Sequence, residues 1–478
     1  MAKQIHNPNV LDTDRIVPLL IKLATPAFFG MFVQTLYNVI NTIFIGHFVG
    51  PLGIAGLSVV FPLQMLAWGV GMMVGMGGSS LISRSLGSGK TEDAERTIGN
   101  GISVGIIMSI GVMIIVLPFT DFWLRLIGAS DAVLPYASTY LIIIISGNIF
   151  NVLAMSLLNF ARAEGNARVG MIAMILGALL SIILDAIFII PLKMGVTGAA
   201  LATIISQIVA MIYLSSYYFS GDSYLKIRLR NLRLDLRILK QMLAIGIGAF
   251  VQTIAGSISA MLLIRLVVNF GGDTALGAYG IIQRVMMFVT MPAMVFGQGM
   301  QPILGFNYGA RRYHLAIKVI KITVMVSTAV SLLGFAVVYL IPGPIVRIFS
   351  DDPALIDMGI YVSRLIFLSL PFMGLVMVGQ TIFQAIGKAL QTFILAIVRP
   401  IVFLIPLVLL MSHFWQLDGV FLAYPVSDIL TLLLSVGLAL PILRQFRKAI
   451  AEAEETAKAE PIPLKQPVKS AESRNVIK

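Results

Sequence analysis

Long runs of apolar residues recur along almost the whole chain, and each run is long enough to cross a membrane as a helix. A helix needs roughly 20 apolar residues to cross a hydrocarbon core of about 30 Å, and about twelve such runs are present. The first half holds six, at 16–45, 54–81, 98–119, 136–160, 169–190 and 196–219. The second half holds six more, at 242–268, 275–304, 316–341, 360–383, 390–411 and 420–442. The pattern predicts an all-α integral membrane protein with about twelve transmembrane helices.

The second half of the chain also repeats short motifs of the first half. Phe-Val-Gln-Thr at 32–35 returns at 250–253, and Gly-Met-Gly at 75–77 returns as Gly-Gln-Gly at 297–299. Many carriers are built from internal repeats and place the substrate site between them. We therefore expect two pseudo-symmetric six-helix bundles. The predicted units are a terminal segment at 1–15, a first lobe at 16–220, a basic linker at 221–240, a second lobe at 241–443 and a disordered tail at 444–478.

Composition excludes a soluble protein, and the placement of charge argues against nucleic-acid binding. Hydrophobic residues make up 58% of the chain and charged residues 12%, whereas about a quarter of a soluble domain is charged. The net charge of +12 comes largely from basic residues that follow even-numbered spans, such as Lys90, Arg168, Arg311 and Lys388. Loops on the cytoplasmic side of a membrane carry such an excess of Lys and Arg. The sequence therefore predicts a multi-pass protein with both termini in the cytoplasm.

Patterns that suggest an enzyme are incomplete in this sequence. Gly89-Lys90-Thr91 matches the end of a phosphate-binding loop, but Arg84 stands where that loop requires its first glycine. The four histidines are scattered over termini and loops without ligand spacing, so we predict no metal and no cofactor. No histidine lies well inside a span beside a nucleophile, which makes an enzyme the less favoured class.

One acidic residue of the first lobe is placed where a charge is costly. Asp185 lies late in the fifth span among apolar residues, and ionisable side chains inside a membrane are candidates for function. Apolar surroundings disfavour the charged carboxylate, so this side chain could exchange protons. We predict Asp185 to be the ion-coupling residue. The alternative is a structural acceptor bonded to neighbouring polar side chains.

A second pair of charges lies in the second lobe. Counted along the antiparallel eleventh and twelfth spans, Arg399 and Asp428 reach a similar depth near mid-membrane. A lone charge at that depth would be costly, while a hydrogen-bonded pair is tolerated. We therefore predict a structural ion pair between these two residues.

Polar side chains recur at helical spacing on faces that would be poorly suited to contact with lipid. The predicted cavity residues are Gln34, Tyr37, Asn38 and Asn41 in the first span, Asn148 and Asn151 in the fourth, and Met377, Gln380 and Gln384 in the tenth. Methionine adapts its shape to varied ligands, and the chain has 25 of them. Hydrogen bonding between helices is the alternative for any single residue. As a set, these residues predict a wet cavity between the lobes.

Several stretches of the chain resemble the multidrug and toxic compound extrusion (MATE) family, and within it a bacterial, MepA-like branch. They are residues 34–46, Ser-Arg-Ser-Leu-Gly-Ser-Gly at 83–89, Leu-Asp at 184–185 with Gly-Val-Thr-Gly-Ala-Ala at 195–200, and Gly-Met-Gln-Pro-Ile-Leu-Gly-Phe-Asn-Tyr-Gly-Ala at 299–310. The resemblance implies two six-helix lobes around a cleft that opens alternately to each side of the bacterial inner membrane. It also implies export of cationic, partly hydrophobic compounds in exchange for protons or sodium.

The resemblance also bears on coupling. The acid of the Leu-Asp motif is a coupling residue in this family, and Asp185 matches it. Many relatives carry an aspartate where this chain has Asn41, and sodium-coupled relatives have acids in spans seven and ten that are missing here. We therefore expect a monomeric proton/drug antiporter, with small-molecule substrates, protons and membrane lipid as partners.

Alternatives to a proton-coupled exporter remain open. They are a sodium-coupled exporter, a flippase for lipid-linked precursors, and a membrane receptor or scaffold. A flippase should have a strongly cationic cavity, whereas no arginine or lysine is expected deep in the first lobe. A receptor or scaffold would not need repeated halves and would tolerate loss of Asp185.

Overall fold

The computed structural model describes residues 10–459, and every regular element in that range is a helix. The first half contains α1 (Ile16–Phe48), α2 (Pro51–Gly87), α3 (Thr91–Val116), α4 (Thr120–Ile127), α5 (Leu134–Ser146), α6 (Asn148–Ala163), α7 (Ala167–Ile189) and α8 (Gly195–Phe219). The second half contains α9 (Leu236–Gly309), α10 (Tyr313–Leu340), α11 (Pro342–Arg347), α12 (Pro353–Ile366), α13 (Leu370–Ile386), α14 (Ala389–Ile397) and α15 (Ile405–Ala459). A π-helix at Val398–Leu404 joins α14 to α15.

The fourth and tenth spans are each built from two helices. α5 and α6 meet at a bend of 51°, with Gly147 between them. A Cβ atom at Gly147 would collide with Ile204 of α8, so the missing side chain lets α8 approach the bend. α12 and α13 are joined by a 3-10 turn at Phe367–Ser369, and Pro371 near the start of α13 has no N–H to continue the earlier helix.

α9 and α15 are each too long to be one span. α9 has 74 residues and would extend about 111 Å at 1.5 Å per residue. Its backbone leaves the helical region at Gly272, where φ is 65°, a conformation that glycine adopts without steric cost. α15 has a similar break at Gln416, where φ is 48°. The breaks divide α9 into arms at 236–271 and 273–309, and α15 into arms at 405–415 and 417–459.

With these divisions residues 10–459 form twelve spans, six in each half. The prediction of an all-α membrane protein made of two pseudo-symmetric six-helix bundles is confirmed. One end of the bundle carries the loops that contain Lys90, Arg311 and Lys388 and the start of α7 with Arg168, and we call it the basic end.

The two lobes pack on each other in the half of the bundle nearest the basic end. Leu20 and Leu23 of α1 share one buried hydrophobic core with Met300 and Ile303 in the second arm of α9. Burying apolar side chains stabilises such an interface between protein surfaces. The lobes are therefore held together at the basic end.

Small residues bring the backbones of α2 and α9 into direct contact across the same interface. Gly246 of α9 lies against the carbonyl of Met73 in α2, and Gly309 lies against the carbonyl of Arg84. Any side chain at either glycine would push the helices apart. The close approach of the two lobes thus depends on these glycines.

Two predicted boundaries differ in the structure. The linker was expected to extend to residue 240, but α9 begins at Leu236 because the Asp235 side chain accepts hydrogen bonds from the first backbone N–H groups of the helix. The tail was expected to be disordered from residue 444, but α15 continues to Ala459. Ala, Glu and Lys favour helix, and Lys448 and Glu452 form an i,i+4 pair at 3.7 Å. Residues 1–9 and 460–478 lie outside the described residues.

Candidate functional site

Asp185 is the least exposed acid of the first lobe. It lies on α7 with 0% of its surface exposed, and neither carboxylate oxygen has a hydrogen-bond partner among the described residues. Tyr37 of α1 and Tyr140 of α5 are close enough to interact with it electrostatically. Ser181, one turn earlier on α7, is also buried and lies beside the Tyr37 hydroxyl. A buried polar group without a partner is costly.

A short hydrogen-bond network lies beside Asp185. The Tyr37 hydroxyl is 3.1 Å from the Thr203 hydroxyl of α8, and Asn41 Nδ2 donates to the Tyr37 hydroxyl at 3.3 Å. The Oδ1 atom of Asn41 is buried with no partner in residues 10–459. The structure thus brings three predicted residues, Tyr37, Asn41 and Asp185, into one polar cluster between α1, α5, α7 and α8.

The other predicted residues of the first lobe lie on α1 and α6, outside that cluster. Asn38 is exposed and donates from Nδ2 to the backbone carbonyl of Gln34 at 3.0 Å. Asn148 is buried, and its Nδ2 has no partner within the described chain. Asn151, one turn along α6, is half-buried. Their role in a substrate cavity stays a prediction.

The tenth span contributes amide groups at two different depths. Gln380 and Gln252 exchange hydrogen bonds at 2.7 Å and 3.2 Å, and Met377 is half-buried one turn before Gln380. Lipid offers no hydrogen-bond partners, so this amide pair is best accommodated in the cleft between the lobes. Gln384 instead lies in the closed contact near the basic end, where its side chain is buried and its backbone carbonyl accepts a hydrogen bond from Ser80.

Arg399 and Asp428 meet in the interior of the second lobe. Arg399 Nε is 2.5 Å from Asp428 Oδ1, and the Asp428 side chain has 0% exposure. Arg399 lies in the π-helix, and the neighbouring Pro400 carbonyl accepts a hydrogen bond from Ser259 of α9 at 2.8 Å. The wider turn of a π-helix frees carbonyl groups for such bonds. The structure therefore gives this pair the contact expected of a structural ion pair.

A tyrosine cluster next to this pair was not predicted. The Tyr279 and Tyr424 hydroxyls are 2.6 Å apart, and Gln283 Nε2 donates to the Tyr279 hydroxyl at 2.5 Å. Tyr424 also interacts electrostatically with Arg399 and Asp428. The i,i+4 spacing of Tyr279 and Gln283 is the only sequence signal that could have drawn attention to it. Each lobe thus holds an acid with 0% exposure, Asp185 or Asp428, beside tyrosine hydroxyls.

A hydrogen bond between the lobes closes the bundle near the basic end. Arg162, at the end of α6, donates from Nη1 to Gln298 Oε1 of α9 at 2.6 Å. Only 8% of the Arg162 surface is exposed. The expectation that the first lobe has no buried arginine is therefore wrong at its basic end, because Gln298 of the other lobe covers that side chain. Asp12 and Arg312 form a further ion pair between the lobes.

Glu164 follows α6 in a loop at the basic end, outside the spans. Ser223, in the segment between the lobes, lies 2.8 Å and 3.1 Å from the two carboxylate oxygens of Glu164. Burial raises the pKa of Glu164 from 4.5 to about 7, although the hydrogen bond from Ser223 partly offsets this effect. Glu164 is therefore a second titratable carboxyl group, at the surface where the lobes are connected.

The described residues contain no group of three or more His, Asp or Glu side chains that could hold a metal ion. The polar groups that the structure places in or near the candidate site are the carboxyl groups of Asp185 and Glu164, the Arg399–Asp428 ion pair, and amide and hydroxyl groups.

Comparison with known proteins matches both halves of the chain to one family. The MatE family model matches residues 26–187 and 248–410. The chain is 27% identical over 401 residues to the multidrug export protein MepA of Staphylococcus aureus (strain NCTC 8325 / PS 47), and the alignment covers 84% of this chain and 88% of MepA.

Solved structures show the same architecture. A crystal structure of MATE in complex with MaD3S is similar with a TM-score of 0.88 at 25% identity, covering 93% of this chain and 100% of that one. An outward-facing conformation of a multidrug resistance MATE family transporter of the MOP superfamily is similar with a TM-score of 0.87 at 25% identity, covering 93% and 99%. The two segments matched by the family model lie one in each lobe and together make up more than half of the sequence, so the chain belongs to the MatE family, as its motifs predicted.

Proposed function

We propose that the protein exports cationic, partly hydrophobic compounds in exchange for protons, by alternating access between its two lobes. Membership of the MatE family supports export, as does the similarity to a protein named as a multidrug exporter. The observation that supports protons as the coupling ion is the burial of Asp185 without any hydrogen-bond partner among residues 10–459. Asp185 is the residue that we expect to bind the coupling proton.

The physical reason is the cost of an unpaired charge. A carboxylate that is buried without a partner carries a penalty of several kcal/mol, and protonation removes the charge. A proton therefore favours the conformer in which Asp185 is dry. Opening of the first lobe to water, or arrival of a cation, favours the charged form. Because a ligand shifts an equilibrium only through different affinities for its two states, this difference can link proton binding to the conformational change.

The surroundings of Asp185 suit a cationic substrate. Tyr37 and Asn41 offer hydroxyl and amide oxygens close to the carboxylate, and aromatic rings attract cations. Across the cleft, Met377 and Gln380 present a thioether and an amide on α13. Such a surface binds by shape adaptation more than by fixed hydrogen bonds. We therefore expect broad specificity among amphipathic cations.

The charge on the loops sets the proposed orientation. By the positive-inside rule, the basic end and both termini lie on the cytoplasmic side of the bacterial inner membrane. The contacts of Arg162 with Gln298 and of Gly309 with Arg84 then close the cytoplasmic side. The similarity to a structure described as outward-facing agrees with this orientation. The conformer described would therefore release substrate outwards and accept protons.

Flux of a fluorescent cationic dye in proteoliposomes tests the proposal. Vesicles that are acidic inside should accumulate dye, because protons leave as dye enters. A sodium gradient of equal size, without a pH gradient, should produce no accumulation above that of empty vesicles. Dye accumulation driven by sodium alone would reject proton coupling and leave a sodium-coupled exporter.

Two matched variants test whether pH-driven dye accumulation depends on Asp185. Asp185→Asn keeps the shape of the side chain but cannot carry the proton, so pH-driven accumulation should fall to the level of empty vesicles. Asp131→Asn makes the same chemical change at a side chain that is 87% exposed and should transport normally. A normal rate for Asp185→Asn would reject the role proposed for this residue.

A further inference from the structure

A polar cavity lies at the basic end, away from the Asp185 cluster. Its volume is about 410 Å³, and it is lined by residues from α2, α3, α9 and α10 and from the loops that precede α3 and α10. Four of the lining residues are basic, namely Arg84, Lys90, Arg237 and Arg311, and Asp93 is the one acidic lining residue. The cavity is therefore strongly cationic and is shared between the two halves of the chain.

Most of this positive charge has no carboxylate partner. Asp93 is bound by Arg237 at 3.0 Å. Among residues 10–459, Arg84, Lys90 and Arg311 form no ion pair within 4.0 Å. Three cations that face one cavity repel each other, and a bound anion would remove that repulsion.

Arg84 is the most constrained of the three. Its Nε donates to the Ser80 carbonyl at 3.1 Å, and its guanidinium lies against Gly387 of the second lobe. A half-buried guanidinium held in this way keeps its terminal N–H groups in a fixed plane. Phosphate oxygens match that geometry because they can accept two parallel hydrogen bonds.

The ends of two helices also favour an anion at this position. α3 starts directly after Lys90, and α10 starts at Tyr313, a residue that lines the cavity. Neither helix has a side chain that caps its first N–H groups. The N-terminus of a helix carries partial positive charge and offers free N–H donors to phosphate groups.

Two general effects also place basic residues here, and they need to be separated from ligand binding. The positive-inside rule enriches Lys and Arg at this end of the bundle, and cations favour helix C-termini such as those of α2 and α9. Both effects act on exposed loops and require no enclosed space. Neither explains why Arg84 and Arg311, from different lobes, face one cavity between those lobes.

We infer that this cavity binds a phosphate-type oxyanion, either free or as a lipid headgroup, and that the bound anion stabilises the conformer closed at the basic end. The anion would bridge Arg84 and Lys90 of the first lobe with Arg311 of the second. Separation of the lobes at this end would break up the site. The inference does not depend on the ion that drives transport.

Thermal unfolding of the purified protein tests binding. Pyrophosphate is titrated against chloride at constant ionic strength in detergent, and a parallel series uses nanodiscs with or without cardiolipin in neutral lipid. The wild-type protein should show a saturable rise in Tm with at least one of these probes. A response to pyrophosphate in detergent identifies free phosphate as a source, whereas a response to cardiolipin alone identifies a lipid headgroup.

Two double variants test whether anion binding depends on the cations that line the cavity. Lys90→Gln/Arg311→Gln removes two exposed cations from the cavity and should weaken the apparent affinity about tenfold for each cation. Arg233→Gln/Lys240→Gln removes two exposed cations that do not line the cavity and should leave the affinity unchanged. Equal losses of affinity in both double variants would show that binding depends only on the overall positive charge, and this would overturn the inference. Absence of a saturable response to both probes would also overturn it.

A distance measurement tests the effect on conformation. The chain contains no cysteine, so spin labels can be placed without background at Glu92→Cys in α3 and His314→Cys in α10. Both native side chains are exposed and neither lines the cavity. The probe that binds should increase the population with the shorter distance, and the Lys90→Gln/Arg311→Gln background should suppress that increase. Binding that leaves the distance distribution unchanged would contradict the stabilising role.

Discussion

The buried ion pair of the second lobe gives a prediction with a magnitude. Arg399 and Asp428 are joined at 2.5 Å, with 0% exposure for the acid and 26% for the arginine side chain. Removal of one partner of a buried pair costs about 3–5 kcal/mol, because the remaining charge has no compensation. We therefore expect Arg399→Met and Asp428→Leu each to destabilise the protein by about that amount.

The two single variants should not cost the same. Arg399→Met leaves a carboxylate that is wholly inside the protein, and its second oxygen already has no hydrogen-bond partner among the described residues. Asp428→Leu leaves a guanidinium that keeps part of its surface exposed, so water can compensate some of its charge. Arg399→Met should be the costlier change near neutral pH.

The double variant Arg399→Met/Asp428→Leu isolates the interaction. It leaves neither charge behind, so its stability should lie within about 2 kcal/mol of the wild type. The double-mutant cycle should then give a coupling energy of roughly 3 kcal/mol or more. Unfolding in mixed detergent, followed by the helical circular dichroism signal, measures all four proteins.

An exposed pair provides the control for this cycle. Arg125 and Asp131 are 2.8 Å apart, but 56% and 87% of their side chains are exposed. Such a pair contributes about 0–1 kcal/mol, so Arg125→Met, Asp131→Asn and their combination should all be nearly neutral. Additive losses at Arg399 and Asp428, or equal coupling in both cycles, would refute the reasoning.

Two further predictions concern the basic end. Because the pKa of Glu164 is about 7 instead of 4.5, the folded state holds a proton that the unfolded state has lost, and stability should fall as pH rises from about 4.5 to about 7. Glu164→Gln should remove that pH dependence and be more stable than wild type at pH 8, by at most about 3 kcal/mol. A difference in Tm between Glu164→Gln and wild type that is the same at pH 5 and pH 8 would contradict this. Arg162→Met removes the hydrogen bond to Gln298 and should shift the protein towards the conformer open at the basic end. Faster labelling of a cysteine introduced at Gln301, which is 3% exposed, would report that shift, and unchanged labelling would contradict it.

The twelve spans could be predicted because the length of an apolar run is a local property of the sequence. The predicted spans leave gaps at 269–274 and 412–419, and the breaks at Gly272 and Gln416 fall inside these gaps, although helical residues continue on both sides of each. Their positions follow from how far each span reaches through the membrane. The helical continuation to Ala459 was missed because a composition rich in Ala, Glu and Lys is shared by solvated helices and disordered segments.

The candidate site could be predicted only in part. Asp185 was found because a single acid in an apolar run is conspicuous in any membrane sequence. The Tyr279–Tyr424 contact joins residues 145 positions apart, and the Arg162–Gln298 contact joins residues 136 positions apart. Both depend on the packing of helices, and for Arg162 the covering residue comes from the other lobe. Spacing along one span carries no information about such contacts.

Proton release on substrate binding tests the role of Asp185 most directly. Isothermal titration of a cationic dye, in buffers with different ionisation enthalpies at one pH, measures the number of protons exchanged per dye bound. The wild-type protein and Asp131→Asn should release protons as dye binds, because the cation stabilises the charged carboxylate of Asp185. Asp185→Asn should bind dye without any release. A release from Asp185→Asn equal to that of wild type would show that another group carries the proton.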